Sequence, residues 1–336
     1  MKWLESPFTI EGKGGDFLIC LDGTTNNKIE ICEALLRRAY FHTEQHQYID
    51  ELRKRLIKGS EGEYQLKWFW QDMALSDPHL LFFNFETVKF ERFKYQMDAI
   101  FICERFVLIL ECKHIAGEIY YDEATHQLWR EYNGQKLVLN DPFSQVMRHE
   151  EWMANFLLQQ NIQLPIFTAV VITTHSSSLN NMPKQFSIFK FPGLRIKLQQ
   201  LLQTYPKKVN VNLLQFLHQK LMEQYKPQKW QHPFQDIALK QGALCKCGEI
   251  MKYTHGKFIC DCGYASKEPL LQGLHDYRLL VDEWITNKQF RSFFNIHDED
   301  VTNKILKRLG FKTEGKTKSR KYLISEDIWL NNRRNL

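Results

Sequence analysis

The chain has 336 residues, 43% hydrophobic and 25% charged, with 45 Lys plus Arg against 39 Asp plus Glu and a formal net charge of +6. This is ordinary globular composition, which excludes a disordered or low-complexity chain, and the length suffices for about two or three domains with substantial cores. The mild basic excess permits a polyanionic partner without requiring one. With no apolar run near the roughly 18 residues that span a bilayer, and Phe17 to Leu21 too short for a signal segment, a soluble, cytoplasmic protein with no membrane contact is expected.

Residues 1–28 are Gly-rich and weakly patterned. Ile31, Leu35 and Leu36, then Ile49, Leu52 and Leu56, have helical spacing, and residues 1–54 read as an N-terminal helical extension. Gly59 and Gly62 interrupt the pattern, and a second helix is predicted from near Glu63, with Leu66, Phe69, Trp70 and Met73 on one face. After Asp77-Pro78 the chain turns to strands, Leu80 to Phe90 and Tyr95 to Cys103, joined by the polar Glu91-Arg92-Phe93-Lys94. Phe106 to Leu110 is a continuous apolar run of the kind a strand buried on both faces carries.

Further strands are predicted over Ile115 to Tyr121 and Leu128 to Tyr132. Asn133-Gly134 before Lys136 to Leu139 is a hairpin signal. Asp141-Pro142 opens a helix to about Gln159, Pro165 precedes a buried strand over Ile166 to Thr173, and Leu194 to Leu202 and Val209 to Gln224 are helical. Residues 55–225 thus read as one α/β domain, and residues 226–236, with Pro227 and Pro233, as a linker.

The chemistry concentrates at Asp98 and at Leu110-Glu111-Cys112-Lys113. Asp98 falls on one strand and Glu111 and Lys113 on the next, so an antiparallel pair brings both carboxylates to the same end of the sheet. Glu111 and Lys113 are two apart and leave the same face. Two carboxylates and an ammonium at a buried strand are costly without partners. Mg²⁺ or Mn²⁺ held by Asp98 and Glu111, with the Cys112 carbonyl as a possible third donor, resolves that cost. Such an ion eases ionisation of water and neutralises a scissile phosphate, while Lys113 orients the water or stabilises the transition state.

An Asp followed by an apolar strand ending in Glu-x-Lys resembles the PD-(D/E)xK nuclease superfamily. With Gly59-Ser60-Glu61-Gly62-Glu63 before it and Asn140-Asp141-Pro142-Phe143-Ser144-Gln145 after it, the resemblance narrows to the nuclease-related domain, or NERD domain, over roughly residues 55–175. It implies a restriction-endonuclease-like core, a mixed central sheet flanked by helices. It also implies that Glu63 joins the metal site or the groups around it and that Gln145 approaches substrate or water. Arg148 and His149, a helical turn beyond Gln145, could reach phosphate. Against these stand plainer readings: Glu63 as a first-turn acid favoured by the helix dipole, Gln145 as a surface residue, and His149 as a satisfied or solvated histidine. His114 is expected to face the other way and to be structural.

Cys245-Lys246-Cys247-Gly248 and Cys260-Asp261-Cys262-Gly263, 12 residues apart, resemble a zinc ribbon over residues 240–268. Four thiolates suit a tetrahedral, structural Zn²⁺, and a chain of this length in a reducing compartment has no need of disulfides. Both knuckles are Cys-x-Cys rather than the usual Cys-x-x-Cys, which leaves His255 in the intervening hairpin as a substitute ligand. Beyond it, Asn287 to Ile296 and Val301 to Leu309 are predicted helices, followed by a basic run into a strand. Residues 270–336 therefore resemble a winged-helix module. From Val301 to Leu336 there are 10 Lys plus Arg against 3 Asp plus Glu, and Lys316, Lys318, Arg320 and Lys321 are the first candidates for phosphate contact.

Taken together, the sequence predicts a metal-dependent nuclease acting on DNA before RNA. The competing reading is a non-catalytic nucleic-acid-binding or regulatory protein that keeps the fold as a scaffold. The C-terminal modules are a possible surface for a protein partner.

Overall fold

A computed structural model describes residues 18–22, 26–73, 75, 77–89, 93–227, 230–234, 236–316, 319–326 and 328. They fall into two compact units, one from residues before 26 together with 57–229, the other from 26–56 together with 230–336. The chain is a mixed α/β protein.

In the first unit, β1 (Leu18–Asp22), β2 (His79–Lys89), β3 (Phe93–Cys103) and β4 (Val107–Lys113) are continued by β5 (Gly117–Asp122), β6 (Gln127–Tyr132) and β7 (Gln135–Leu139). Next come β8 (Ile166–Ile172), β9 (Ser177–Asn180) and β10 (Ile188–Lys190). The central six-stranded sheet has the order β1-β2-β3-β4-β8-β10, and a four-stranded sheet has the order β7-β6-β5-β9. The central sheet is mixed: β2, β3 and β4 run antiparallel in turn, while β8 runs parallel to β4. The smaller sheet turns at Asn133-Gly134, both with positive φ, as the hairpin signal requires.

Helices cover both faces of the central sheet. On one face α3 (Pro142–Gln159) and α5 (Val211–Gln224) place Trp152, Met153, Phe156, Leu214, Leu217 and Leu221 against Phe82, Ile100, Val107 and Ile109. On the other, Leu66, Phe69 and Trp70 of α2 (Thr43–Asp72) and Leu194, Leu198 and Leu201 of α4 (Pro192–Thr204) meet Phe83, Phe101, Leu108 and Leu110. Strand β4 is therefore apolar throughout its first four residues, each buried side chain contributing about 1.5–3 kcal/mol. Asp141 caps α3 by accepting from the Phe143 and Ser144 amides at 3.0 Å each, with Pro142 in the first turn.

One sequence expectation is corrected: Gly59 and Gly62 do not interrupt the helix, and α2 runs through both. The reason at Gly62 is close packing. A Cβ there would meet Thr173 Oγ1 at 3.0 Å and Cys112 Sγ at 3.2 Å. The missing side chain lets α2 lie against the ends of β4 and β8, which outweighs the helix-propensity cost of about 1 kcal/mol for glycine.

The second unit contains α1 (Asn26–Arg38) and the first half of α2 with a C-terminal assembly of α6 (Pro269–Leu280), α7 (Asn287–Phe294) and α8 (Glu299–Leu309). Strands β11 (Lys252–Thr254), β12 (Lys257–Ile259) and β13 (Ala265–Ser266) form one small sheet, and β14 (Trp284–Thr286), β15 (Lys312–Glu314) and β16 (Lys321–Leu323) another in the order β14-β16-β15. Buried Arg38 ties the ends of this unit together: its Nε bonds Asp276 Oδ2 at 2.7 Å, and its Nη1 donates to the carbonyls of Lys240 and Gly242 at 2.9 Å each. Among the described residues no helix is long and apolar enough to cross a membrane.

Candidate functional site

The site starts from an irregularity shared by two strands. Along β2, Leu80 and Phe82 face one core and Leu81 and Phe83 the other, as alternation demands, yet Phe85 joins the core of Phe82. Along β3, Met97 likewise joins Ile100 and Ile102. The phase shifts at Asn84 and at Asp98, which stand opposite each other because Phe83 pairs with Ala99 and Phe85 with Met97. Asn84 has φ 50° and its side chain is buried, a left-handed conformation that Asn tolerates better than most residues. Two polar residues thus occupy the point where both strands step out of register with their own cores.

Around that point the other predicted residues assemble. Register between β3 and β4, with Ala99 opposite Leu110, sets Glu111 beside Asp98. The Cys112 amide donates to Asp98 Oδ2 at 2.7 Å. Glu111, 2% exposed, is held by both of its oxygens: Lys113 Nζ lies 2.5 Å from Oε1 and Gln145 Nε2 2.8 Å from Oε2. Gln145 Oε1 also faces Lys113 Nζ at 3.4 Å. From α2, Glu63 Oε2 accepts from Asn84 Nδ2 at 3.0 Å. Five predicted side chains, Glu63, Asp98, Glu111, Lys113 and Gln145, therefore form one constellation drawn from two helices and two strands.

Its electrostatics are unbalanced. Burial, then the charges of Glu111 and Glu63, push the Asp98 carboxyl well above the usual carboxylate range, against the pull of Lys113 and the Cys112 amide. Burial also raises Glu111, although Lys113 and Gln145 act against it. Lys113 is lowered by burial but more strongly raised by Glu111 and Asp98, so it stays an ammonium. Among the described residues, one ammonium faces three carboxyl groups. His149, buried one turn along α3 from Gln145, does not correct this, because burial and the charges of Arg148 and Lys113 lower it to about 4 and it is neutral near pH 7. Carboxylate oxygens in excess of cationic charge fit a hard divalent ion, which binds through one or two carboxylates and keeps several waters.

The remaining candidates are placed as follows. Arg148 stands exposed on α3. His114 bridges Thr173 Oγ1 at 3.0 Å and Glu61 at 3.5 Å, beside Gly62. Lys316, Arg320 and Lys321 are exposed in the second unit, and Lys318 lies outside the described residues. Sequence reasoning missed Asn84. The available signal was a lone amide inside the otherwise apolar and aromatic run from Leu80 to Phe85.

The second cluster is built by two knuckles of the same design. In each, the amide of the first Cys bonds the carbonyl four residues on (Glu249 or Tyr264) at 2.8 Å, and the Gly amide returns to the first Cys carbonyl at 2.9 Å. Gly248 and Gly263 adopt φ 91° and 89°, which closes each knuckle tightly. The four sulfurs of Cys245, Cys247, Cys260 and Cys262 lie within 4.8 Å of one another, the only group of three or more potential ligands to do so among the described residues. His255 instead occupies the hairpin turn with φ 50°, next to Gly256. The Tyr264 amide, followed by the neighbouring thiols, lowers Cys262 to about 7. The cluster is compatible with a structural, zinc-ribbon-like centre with all four positions filled by protein sulfur.

Compared with known families, residues 58–173 match the model of the nuclease-related domain, NERD. The match runs from α2 through the residue after β8 and includes Glu63, Asp98, Glu111, Lys113 and Gln145. No curated protein and no solved structure matches the chain.

Proposed function

From the premise that residues 58–173 are a nuclease-related domain, we propose that this protein hydrolyses phosphodiester bonds, DNA being the expected substrate ahead of RNA. The observation that carries the reading is the excess of carboxylate over ammonium around Asp98. Asp98 and Glu111, with the Cys112 carbonyl, would hold Mg²⁺ or Mn²⁺. When bound, such an ion supplies positive charge to the scissile phosphate and eases ionisation of the attacking water.

The protein's own groups do the rest. The Cys112 amide fixes one Asp98 oxygen and so aims the other. Lys113 is a cationic group in contact with Glu111, so it can leave Glu111 for the phosphate oxygens as charge accumulates there, stabilising the transition state electrostatically. Gln145 donates to Glu111 and accepts from Lys113, so it still holds Glu111 when Lys113 leaves. The Asp141 cap fixes the helix that carries Gln145. Zn²⁺ at Cys245, Cys247, Cys260 and Cys262 is a structural element in this reading. The two helices and three-stranded sheet of residues 284–323 are read as a winged-helix-like module, in which Lys316, Arg320 and Lys321 contact nucleic-acid phosphates, and Arg148, exposed on the helix that carries Gln145, is read as a further phosphate contact.

The test is cleavage of supercoiled, linear and single-stranded DNA and of RNA with Mg²⁺ or Mn²⁺, with EDTA as the control. Asp98→Ala and Glu111→Ala should abolish cleavage and the binding of that ion. Lys113→Ala should retain the ion and lose rate by roughly 10²–10³-fold, the usual loss on removing one charge-stabilising donor. A folded protein that binds nucleic acid but cuts none of these forms with any metal would make the domain a binding scaffold.

A further inference from the structure

The nuclease reading assigns roles to Asp98, Glu111 and Lys113 but leaves Glu63 and the strand irregularity unexplained. A non-glycine residue with positive φ in the middle of a paired strand is strained, and such strain persists where the surroundings over-determine it. Asn84 has φ 50° within β2, is buried, and stands opposite Asp98. Its Nδ2 donates to Glu63 Oε2 at 3.0 Å. Glu63 comes from α2, the helix that Gly62 lets approach the ends of β4 and β8. The left-handed step at Asn84 thus coincides with the place where a helix-borne carboxylate must be joined to strand-borne ones.

We propose that Asn84 is the positioning residue of Glu63: its buried amide holds the Glu63 carboxylate beside the Asp98–Glu111 pair and so sets how tightly the site takes a divalent cation. This rests on the cation site proposed above. A carboxylate among other carboxylates is repelled from them, and a neutral donor is the means of holding it there without cancelling the negative charge that attracts the ion. A lysine or arginine at position 84 would hold Glu63 as firmly but would neutralise it. Asn supplies the N–H donor and also tolerates the backbone conformation, which explains why one residue type meets both demands.

Two substitutions separate the backbone role from the side-chain role. Asn84→Gly keeps a residue at ease with positive φ and removes only the amide, while Glu63→Ala removes the group it holds. Mn²⁺ binding by calorimetry and urea unfolding in EDTA are measured for the full chain, both single variants and the double variant. Asn84→Gly should remain folded and bind Mn²⁺ roughly 10–100-fold more weakly, as loss of a group that orients a metal ligand usually does. In the Glu63→Ala background the same change should have no further effect on Mn²⁺ affinity and a smaller effect on the urea midpoint.

Wild-type affinity in Asn84→Gly, alongside weakened binding in Glu63→Ala, would overturn the proposal and leave Asn84 a backbone element only. Effects on Mn²⁺ binding that add in the double variant would overturn it too. If the wild type binds no Mn²⁺, the cation site itself falls, and the unfolding measurements still decide the contact: coupled midpoints keep Asn84 as the residue that places Glu63, and independent ones remove it.

Discussion

Asp98 offers the sharpest test of the site, because removing its charge should make the metal-free protein more stable while disabling it. Asp98→Asn is nearly isosteric, and its side-chain oxygen can still accept from the Cys112 amide, a 2.7 Å bond in the wild type. What disappears is the charge. Facing side chains on paired antiparallel strands sit about 5 Å apart, and two carboxylates at that distance repel by about 3 kcal/mol at an effective dielectric near 20. Lys113, 2.5 Å from Glu111, cancels part of this, so a net gain of about 1–2 kcal/mol is expected, or roughly 2–4 °C per kcal/mol for a unit of this size. The pH dependence has a definite sign. The folded-state pKa of Asp98 is raised, mainly by burial, so the proton stabilises the folded wild type at low pH and that stability is lost as pH rises through the raised value. In EDTA the variant should therefore exceed the wild type most at pH 8, and the gap should close as pH falls toward the ordinary carboxylate range. Added Mn²⁺ should restore the wild type at pH 8 and leave the variant unmoved. Differential scanning calorimetry at several pH values measures all of this for the transition of the first unit. A variant less stable than the wild type in EDTA at pH 8 would refute the reasoning, because Asp98 would then be a satisfied ion rather than a repelled one.

Elemental analysis of protein purified without chelator should give about one zinc per chain, and a Cys245→Ser/Cys260→Ser variant should lose it and become protease-sensitive after Pro233. Arg38→Met should destabilise the second unit by about 1–3 kcal/mol, since buried Asp276 loses its closest cation and keeps Arg37 at 2.8 Å and Gln272 at 2.9 Å; denaturant unfolding followed by a probe in that unit reads the change. Gly62→Val should separate α2 from the ends of β4 and β8 and lower Mn²⁺ affinity, because the added atoms meet Thr173 and Cys112 at contacts already as short as 3.0 Å for a Cβ alone. Replacing Lys316, Arg320 and Lys321 by Gln should weaken nucleic-acid binding and reduce the slope of its logarithm against log salt by up to about 0.9 per lost phosphate contact. An unchanged slope in binding titrations would mark these residues as a solvated surface.

Much of this molecule is written in short-range signals. The apolar run at Val107 to Leu110 has the pattern typical of a strand covered on both faces, the two-residue spacing of Glu111 and Lys113 puts them on one side of it, and Asp141-Pro142 and Asn133-Gly134 carry their cap and turn in their own chemistry. The paired Cys-x-Cys-Gly knuckles likewise declare a four-thiol cluster, because each knuckle closes through bonds within five residues. What the sequence could not decide depends on contacts between distant segments. Gly62 reads as a helix breaker until Thr173 and Cys112 are found against it. Arg38 reads as one more surface cation until Asp276, 238 residues away, is found holding it inside the second unit. Asn84 reads as a polar interruption of a strand until its partner on α2 and its opposite number on β3 are both in place. Periodicity and turn chemistry act over a few residues and survive in any window of the chain. The identity of a glycine's, an arginine's or an amide's neighbour is set by which surfaces pack together, and only the folded chain brings those surfaces into contact.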